Sequence, residues 1–409
     1  MKIWIKVSLG IILGVIIALF LPIGDAGVTA TLGLLSGLVL NLGKFCVVPL
    51  FFFSVFMAVY NLSEDGKLIK SLLGAVGLSL AVVAGMTLFG IVSVLIANPA
   101  RIPIPAEIPA ADATFSFPAF FRQLFPASPA ELFLRGDFLL PFFLFALMLG
   151  LVCHSERANA KPTATLFDSL SHVSYHLNNF FVEFIGVGLI FISADSVLAI
   201  RNVSDPTMFH GLLIVAGIDS LLAVFVLLPL LVYFACGRKN PFPWIYALIA
   251  PAFSALASGD INFSLGILFK HSKESLGVRR RANATSLGVA SLIGRAGSSM
   301  IAAVSFIVIL KSYSSLGVSS LQILWVLGTT VFVSLFLGAV PGSGAFVAIT
   351  LLCQLFGRGF ESGYLIVKPI IVPLVVMGTF VDAFCAGIVT LINGKALKMQ
   401  EDKESRFFI

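Results

Sequence analysis

Residues 334–345 read Ser334-Leu-Phe-Leu-Gly338-Ala-Val-Pro341-Gly342-Ser343-Gly344-Ala345, and apolar arms flank them over 320–356. The arms suit helices, whereas the Pro-Gly-Ser-Gly centre interrupts one. Non-helical backbone at membrane depth is tolerated only where protein or a water-filled cavity supplies hydrogen-bond partners, so the pattern predicts a re-entrant helix-turn-helix hairpin. The segment 243–269 repeats the logic, with Ser254-Ala-Leu-Ala-Ser258-Gly259-Asp260-Ile-Asn262 between its apolar arms. Two interrupted segments in corresponding positions point to the binding site of a secondary transporter, where half-helix ends and freed amides face the solute. The plainer alternative is a pair of glycine kinks in ordinary helices.

Composition demands the membrane setting. Of 409 residues, 58% are hydrophobic and only 11% charged, and the mean hydropathy is +1.05. A soluble domain carries about 25% charged residues, so an ordinary soluble enzyme is excluded. A span needs roughly 20 apolar residues, and eight runs serve: 7–22, 31–61, 71–97, 136–153, 180–200, 207–236, 284–310 and 369–393. The first run could imitate a secretory signal, but further spans follow at once and it reads as an uncleaved helix. Cys46, Cys153, Cys236, Cys353 and Cys385 show no paired short spacing, which argues against a disulfide framework or a zinc knuckle. The Pro- and Ala-rich stretch 98–137 reads as an extended outside loop.

Basic residues set the expected topology. With the N-terminus inside and both broken segments returning to their side of entry, seventeen of the 26 Lys and Arg residues fall inside and seven outside. Lys44 and Arg295 remain within membrane segments. That asymmetry obeys the positive-inside rule, with both termini cytoplasmic. The net charge of +6 needs no nucleic-acid partner, and Arg279-Arg280-Arg281 reads as a cytoplasmic stop beside anionic lipid. His172 and His176 share a helix face but lack a third metal ligand. Gly10 and Gly14 form a small-xxx-small pair that supports close helix packing.

The order of motifs resembles a known family. It comprises a basic first helix, Val47-Val-Pro49 opening a Phe-rich span, Lys67-Leu-Ile-Lys70 leading to Asn98-Pro99, the Ser-Gly hairpin, a Gly-containing unwound helix and Val340-Pro-Gly-Ser-Gly344. This order is similar to that of the dicarboxylate/amino acid:cation symporters, which include the excitatory amino acid transporters and archaeal aspartate transporters. The resemblance implies an all-α polytopic membrane protein with eight transmembrane helices and two re-entrant hairpins. It further implies a homotrimer and an elevator motion of a substrate domain over a fixed scaffold. The chain then divides into scaffold helices 1 and 2 (1–61), helix 3 of the transport domain (62–97) and an outside loop with scaffold helices 4 and 5 (98–206). The remaining transport domain (207–394) and a cytoplasmic tail (395–409) follow. The location implied is the cell membrane, which is the inner membrane in a Gram-negative cell.

Carried over residue by residue, the resemblance exposes departures. The family's Asn-Met-Asp-Gly-Thr in the unwound seventh helix appears as Gly294-Arg295-Ala296-Gly297-Ser298. A sodium-binding Thr-Ser pair falls at Val82 and Val83, a sodium-binding Asp at Leu397 and a hairpin Thr at Leu337, while Ser334 is kept. Sodium needs several oxygen ligands and a carboxylate to offset its charge, so the usual sodium sites read as lost. Proton coupling or exchange is then expected, with no other cofactor.

Arg295 sharpens the point, because a guanidinium near the bilayer centre is costly unless paired or hydrated and does not deprotonate. It can act as a tethered cation in place of sodium, bind an anionic solute directly, or neutralise a nearby acid. Asp382, a retained family Asp, and Asp260 are its candidate partners and also the candidate proton carriers. The acid in contact with arginine is the poorer carrier. Glu183, Asp195 and Asp219 read as interfacial, and Lys44 as snorkelling to an interface.

Solute contacts expected from the resemblance are Arg295, Ser258, Ser298, Pro341, Gly342, Ser343, Gly344, Asp382, Thr390 and Asn393. The family's amine-binding Asp and its Arg for an acidic side chain align with Ala386 and Val389. Aspartate in the usual pose therefore fits poorly, because the loss would leave its charges desolvated without a counterpart. A neutral amino acid, a monocarboxylate or a dicarboxylate without an amine fits better. The expected partners are thus a small solute, lipid and two further copies of the chain. The alternatives are a sodium-coupled symporter with rearranged sites, an anion-conducting channel-like relative and a receptor without flux. An intramembrane aspartyl protease built on Asp260 and Asp382 lacks its sequence context.

Overall fold

The computed structural model describes residues 2–103, 122, 124–135, 139–203, 206–313, 317–339, 344–405 and 408–409. Among them the chain is helical, and one isolated antiparallel bridge, Val278 to Gln400, is the extended pairing present.

The first half is built of long helices. α1 (Ile3–Phe20) is followed by α2 (Ala26–Glu64), whose first amides are capped by the Asp25 carboxylate at Gly27 and Val28. α3 (Leu68–Ala97) ends at Asn98 in the left-handed conformation. The span expected at 136–153 is α4 (Leu139–Ser155), about 25 Å long at 1.5 Å per residue. The span expected at 180–200 is the membrane part of a much longer α5 (Arg157–Arg201), whose polar first half continues the same helix. Residues 206–235 hold α6 (His210–Leu222), a π turn over Ala223–Leu227 and α7 (Leu228–Ala235).

The second half is interrupted, as the sequence suggests. A short turn of helix at Phe242–Ala247 leads into α8 (Ile249–Ser258) and α9 (Ile261–Glu274), which pack together as a hairpin. Gly259 closes α8 in the left-handed region, and Asp260 caps α9 through the Asn262 amide. α10 (Arg280–Leu292) and α11 (Ala296–Tyr313) are separated by the break at 293–295. α12 (Ser320–Ser334) and α13 (Gly344–Phe356) pack as the arms of the second hairpin, and α14 (Ile371–Ala396) completes the set. The tip residues 340–343 lie outside the described residues.

Seven segments among the described residues are long and apolar enough to cross a membrane: α1, α2, α3, α5, and the ranges Pro206–Ala235, Arg280–Tyr313 and Lys368–Ala396. The most apolar window of Arg280–Tyr313 is 94% buried and that of α1 only 28%. The broken helix is therefore central and α1 peripheral. α1 lies on α5 through small residues: a Cβ on Gly10 would strike the Gly186 carbonyl, and one on Gly14 the Ser193 hydroxyl and Ile190 carbonyl.

α2 and α5 pack on each other and on α4, and α1 packs on α5, while α3, α10, α11, α13 and α14 form a second group; α8 and α9 join it to α1, α2 and α5, and α10 packs directly on α2. The junction is mostly apolar, with Val7, Cys46, Phe181, Ile185, Ala250 and Phe263 among its residues. Polar ties cross it as well, among them Tyr175 Oη donating to Glu274 Oε1 at 2.6 Å. Asn178 Nδ2 donates to the Gly266 carbonyl at 3.0 Å, Ser196 Oγ to the Ala257 carbonyl at 3.0 Å, and Lys270 meets Glu183 at 3.5 Å. Glu183 also pairs with Lys6. The tail folds back on the loop after α9, with Arg279 N donating to the Met399 carbonyl and Glu401 N to that of Gly277.

Candidate functional site

The break at Ile293-Gly294-Arg295 leaves the first amides of α11 without intrahelical partners. Asp382, one helix away on α14, supplies them. Its Oδ1 accepts from Gly297 N at 2.7 Å and Ser298 N at 3.0 Å, and its Oδ2 accepts from Ser298 Oγ at 2.5 Å. A carboxylate at a helix N-terminus is favoured by the aligned backbone dipoles as well as by the hydrogen bonds. Gly297 is required for this approach, since a Cβ there would stand 2.9 Å from the Asp382 amide and closer still to Val381.

Arg295 is wholly buried. Its Nε donates to the Ser291 carbonyl at 3.4 Å, but Nη1 and Nη2 have no hydrogen-bond partner among the described residues. A Cβ built on Gly344 would lie 2.9 Å from Nη1 and 3.0 Å from Ser298 Oγ. The guanidinium therefore faces the first turn of α13. That turn is itself an electropositive helix end, so two positive features converge on one place. Asp382 and Asp260 are the carboxylates that act on Arg295 electrostatically. Neither forms an ion pair with it within 4.0 Å among the described residues. The acid nearest in role, Asp382, is committed to backbone amides rather than to the arginine.

Ser258 and Asp260 stand apart from this cluster. Ser258 Oγ donates to the Ser254 carbonyl at 2.8 Å, and Asp260 Oδ1 accepts from Asn262 N at 2.9 Å. Both line a cavity of about 400 Å³ between the first hairpin tip, α2, α5 and the start of α14, together with Lys44, Asp195 and Ser196. Lys44 is thus part of this cavity's lining. Asp195 accepts from Ser36 Oγ at 2.6 Å.

Thr390 Oγ1 bonds back to the Ala386 carbonyl of its own helix at 2.7 Å. Asn393 Nδ2 donates to the Ser71 carbonyl at 3.0 Å and Ser286 Oγ at 2.7 Å, in a polar seam joining α3, α10 and α14. It sits about 16 Å along α14 from Asp382, at 1.5 Å per residue. Arg295, Ser298, Gly344 and Asp382 therefore come together. Ser258 and Asp260 form a neighbouring wall, and Thr390 and Asn393 lie toward the far end of α14. Pro341, Gly342 and Ser343 lie outside the described residues.

A profile of the sodium:dicarboxylate symporter family matches residues 3–395. The chain belongs to the sodium:dicarboxylate symporter family. Human neutral amino acid transporter A is 24% identical over 279 residues, covering 66% of this chain and 51% of that protein. Excitatory amino acid transporter 3 of Bos taurus is 26% identical over 275 residues, 65% of this chain and 51% of the relative. Excitatory amino acid transporter 4 of Mus musculus is 26% identical over 170 residues, 41% and 30% respectively. The chain spans about half the length of these relatives or less. Membership of the sodium:dicarboxylate symporter family, with seven apolar segments of spanning length, makes this a multi-pass membrane protein.

Sequence reasoning missed the burial of Asp219. The apolar run 207–236 puts Asp219 near its middle rather than at an interface, and the residue is fully buried on α6. The signal was its depth in the run, about twelve residues or ~18 Å from the start of the run.

Proposed function

We propose that the chain is a secondary active transporter that moves a small amino acid or carboxylate solute by an elevator mechanism. In this reading α1, α2, α4 and α5 form the fixed scaffold. α3 and the chain from α6 to α14 travel, and three copies assemble in the membrane. The usual sodium sites are replaced, with Arg295 as a tethered cation, so that transport runs by proton coupling or exchange.

The observation that carries this reading is the pair of buried Arg295 nitrogens that have no hydrogen-bond partner among the described residues, with Nη1 beside Gly344. A buried guanidinium requires an opposing charge or several hydrogen bonds. Its two carboxylate neighbours are engaged elsewhere, with backbone amides of α11 and α9. The positions aligned with sodium ligands support the same reading, for Val82, Val83, Ala296, Leu337 and Leu397 are all buried and apolar. Direct contact between Arg295 and the anionic group of the solute is the second reading, favoured by the direction of Nη1. The planar fork of the guanidinium suits a carboxylate.

The test uses purified protein in vesicles, with labelled L-alanine, L-glutamate and succinate as probes, with and without sodium and across a pH gradient. Sodium-independent exchange that is lost or altered in Arg295→Met is the expected result. Uptake that collapses without external sodium and ignores pH would overturn the tethered-cation reading, as would an Arg295→Met variant with unchanged flux and ion dependence.

A further inference from the structure

We propose that Asp219 is the site at which the coupled proton rides, an inference that rests on the transporter reading above. Asp219 is fully buried in α6, within the apolar run Pro206–Ala235. Its Oδ1 accepts from the Ser93 hydroxyl of α3, and its Oδ2 has no hydrogen-bond partner among the described residues.

The elements packed against α6 are α3, α11, α14, the π turn and the 3-10 turn before it. α3 carries Lys70, placed at its opposite end. α11 carries Lys311, which donates to Asn98 Oδ1 at 3.0 Å, and Tyr313. α14 carries Asp382, held by Gly297 and Ser298, and Lys395, which lies over the Trp244 ring. The π turn and the 3-10 turn carry no charged residue. None of these groups pairs with Asp219 among the described residues.

An ionised carboxylate in apolar surroundings is tolerated when a cation or several donors compensate it, and the neutral acid is far cheaper to bury. Asp382 has three donors and Asp260 caps a helix beside an arginine's field, so each suits a standing negative charge. Asp219 has one hydroxyl donor and an open oxygen, which suits a group that is neutral while carrying a proton and charged after releasing it. A metal cation would need several oxygen ligands, and no group of three or more His, Cys, Asp or Glu side chains gathers at Asp219 among the described residues.

The backbone beside Asp219 is also irregular. Ala223 N reaches the carbonyls of Asp219 and Ser220, and Leu228 N skips to that of Ala223, which opens the π turn. Such turns occur often at functional positions and give a helix room to shift. The step balances simply: one proton from one aqueous side converts the Asp219 carboxylate to the acid, and the same proton leaves to the other side. The moving body carries one charge fewer in between.

The test is Asp219→Asn, a near-isosteric neutral mimic, beside wild type and Asp219→Glu in the same vesicles and probes. Wild type should accumulate a probe against its gradient when the pH gradient is imposed. Asp219→Asn should lose that accumulation and any pH dependence of exchange, and Asp219→Glu should restore them. Gradient-driven accumulation that survives in Asp219→Asn overturns the proposal, as does wild-type exchange indifferent to pH. Infrared titration of the purified proteins gives a readout independent of solute. A protonated-carboxyl band that appears on acidification in wild type and is missing from Asp219→Asn supports the assignment even if none of the three probes moves, which would fault the transport reading alone. Identical spectra overturn it.

Discussion

Arg295 brings its Nη1 to the start of α13, so close to Gly344 that a single methyl there would stand 2.9 Å from it. The same methyl would stand 3.0 Å from Ser298 Oγ. The helix end and the guanidinium share one small volume, and nothing larger than hydrogen fits on Gly344 without moving one of them.

Gly344→Ala is therefore expected to displace the guanidinium by a few tenths of an ångström while leaving the fold intact. Solute affinity should weaken about tenfold, equivalent to ~1.4 kcal/mol, with the thermal midpoint nearly unchanged. Transport KM measured beside a melting curve in detergent checks both halves. A large drop in midpoint with unchanged KM would contradict it.

Asp382→Asn removes the negative charge nearest to Arg295 and places an amide donor where Gly297 N, Ser298 N and Ser298 Oγ now converge on acceptors. Breaking a buried, charge-assisted cluster in this way costs about 3–5 kcal/mol. The thermal midpoint should fall markedly. Combining it with Arg295→Met should recover part of the loss, because the second change removes the charge left uncompensated.

Gly14→Leu should separate α1 from α5, since even a Cβ at Gly14 collides with the Ser193 hydroxyl and the Ile190 carbonyl. Overpacking of this kind costs about 1–3 kcal/mol. Gly37→Ala is the control: among the described residues nothing beyond its own helix lies within 4 Å of the added Cβ, and stability should hold or rise by up to about 1 kcal/mol. Melting curves of the two variants compare them directly.

The tail carries a modest pH response. The Lys239 ammonium, bonded to Asp402 at 2.6 Å, holds the Asp402 carboxyl below its ordinary range. A carboxyl lowered in the folded state contributes stability above its unfolded pKa of about 3.9 and loses it as pH falls through the lower folded value. The protection factors of the Met399 and Glu401 amides, exchange rates divided into their intrinsic values at each pH, should thus be constant near neutral pH and fall only in acid. Asp402→Asn should show lowered protection throughout and no acid step.

Much of this architecture was legible in the sequence. Runs of apolar residues located the long helices, and the Ser258-Gly259-Asp260 and Pro341–Gly344 interruptions located both hairpins. Motif order named the family. Helix ends were harder to place: α5 begins at Arg157 because a polar amphipathic stretch continues the same helix, and hydropathy registers only its apolar half. The membership of the site was harder still. Arg295 stood out as an added charge, but its relation to Asp382 depends on which donors reach the carboxylate first, and backbone amides freed by the break at 293–295 do so. Asp219 was visible as a residue, while its burial depends on how α3 and α6 pack.

The apolar junction between α8, α9 and the α1, α2, α5 group has a kinetic meaning. Aliphatic and aromatic contacts are non-directional, so a surface made of them slides with little preference for register. Hydrogen bonds and ion pairs are directional and resist displacement. On the proposed path, resistance is therefore concentrated at the polar contacts, among them Asn178 on Gly266, Ser196 on Ala257, Lys270 on Glu183 and Tyr175 on Glu274. These residues lie away from Arg295 and Asp219, and under the elevator proposal their strength would set how long the moving body dwells at one end of its travel.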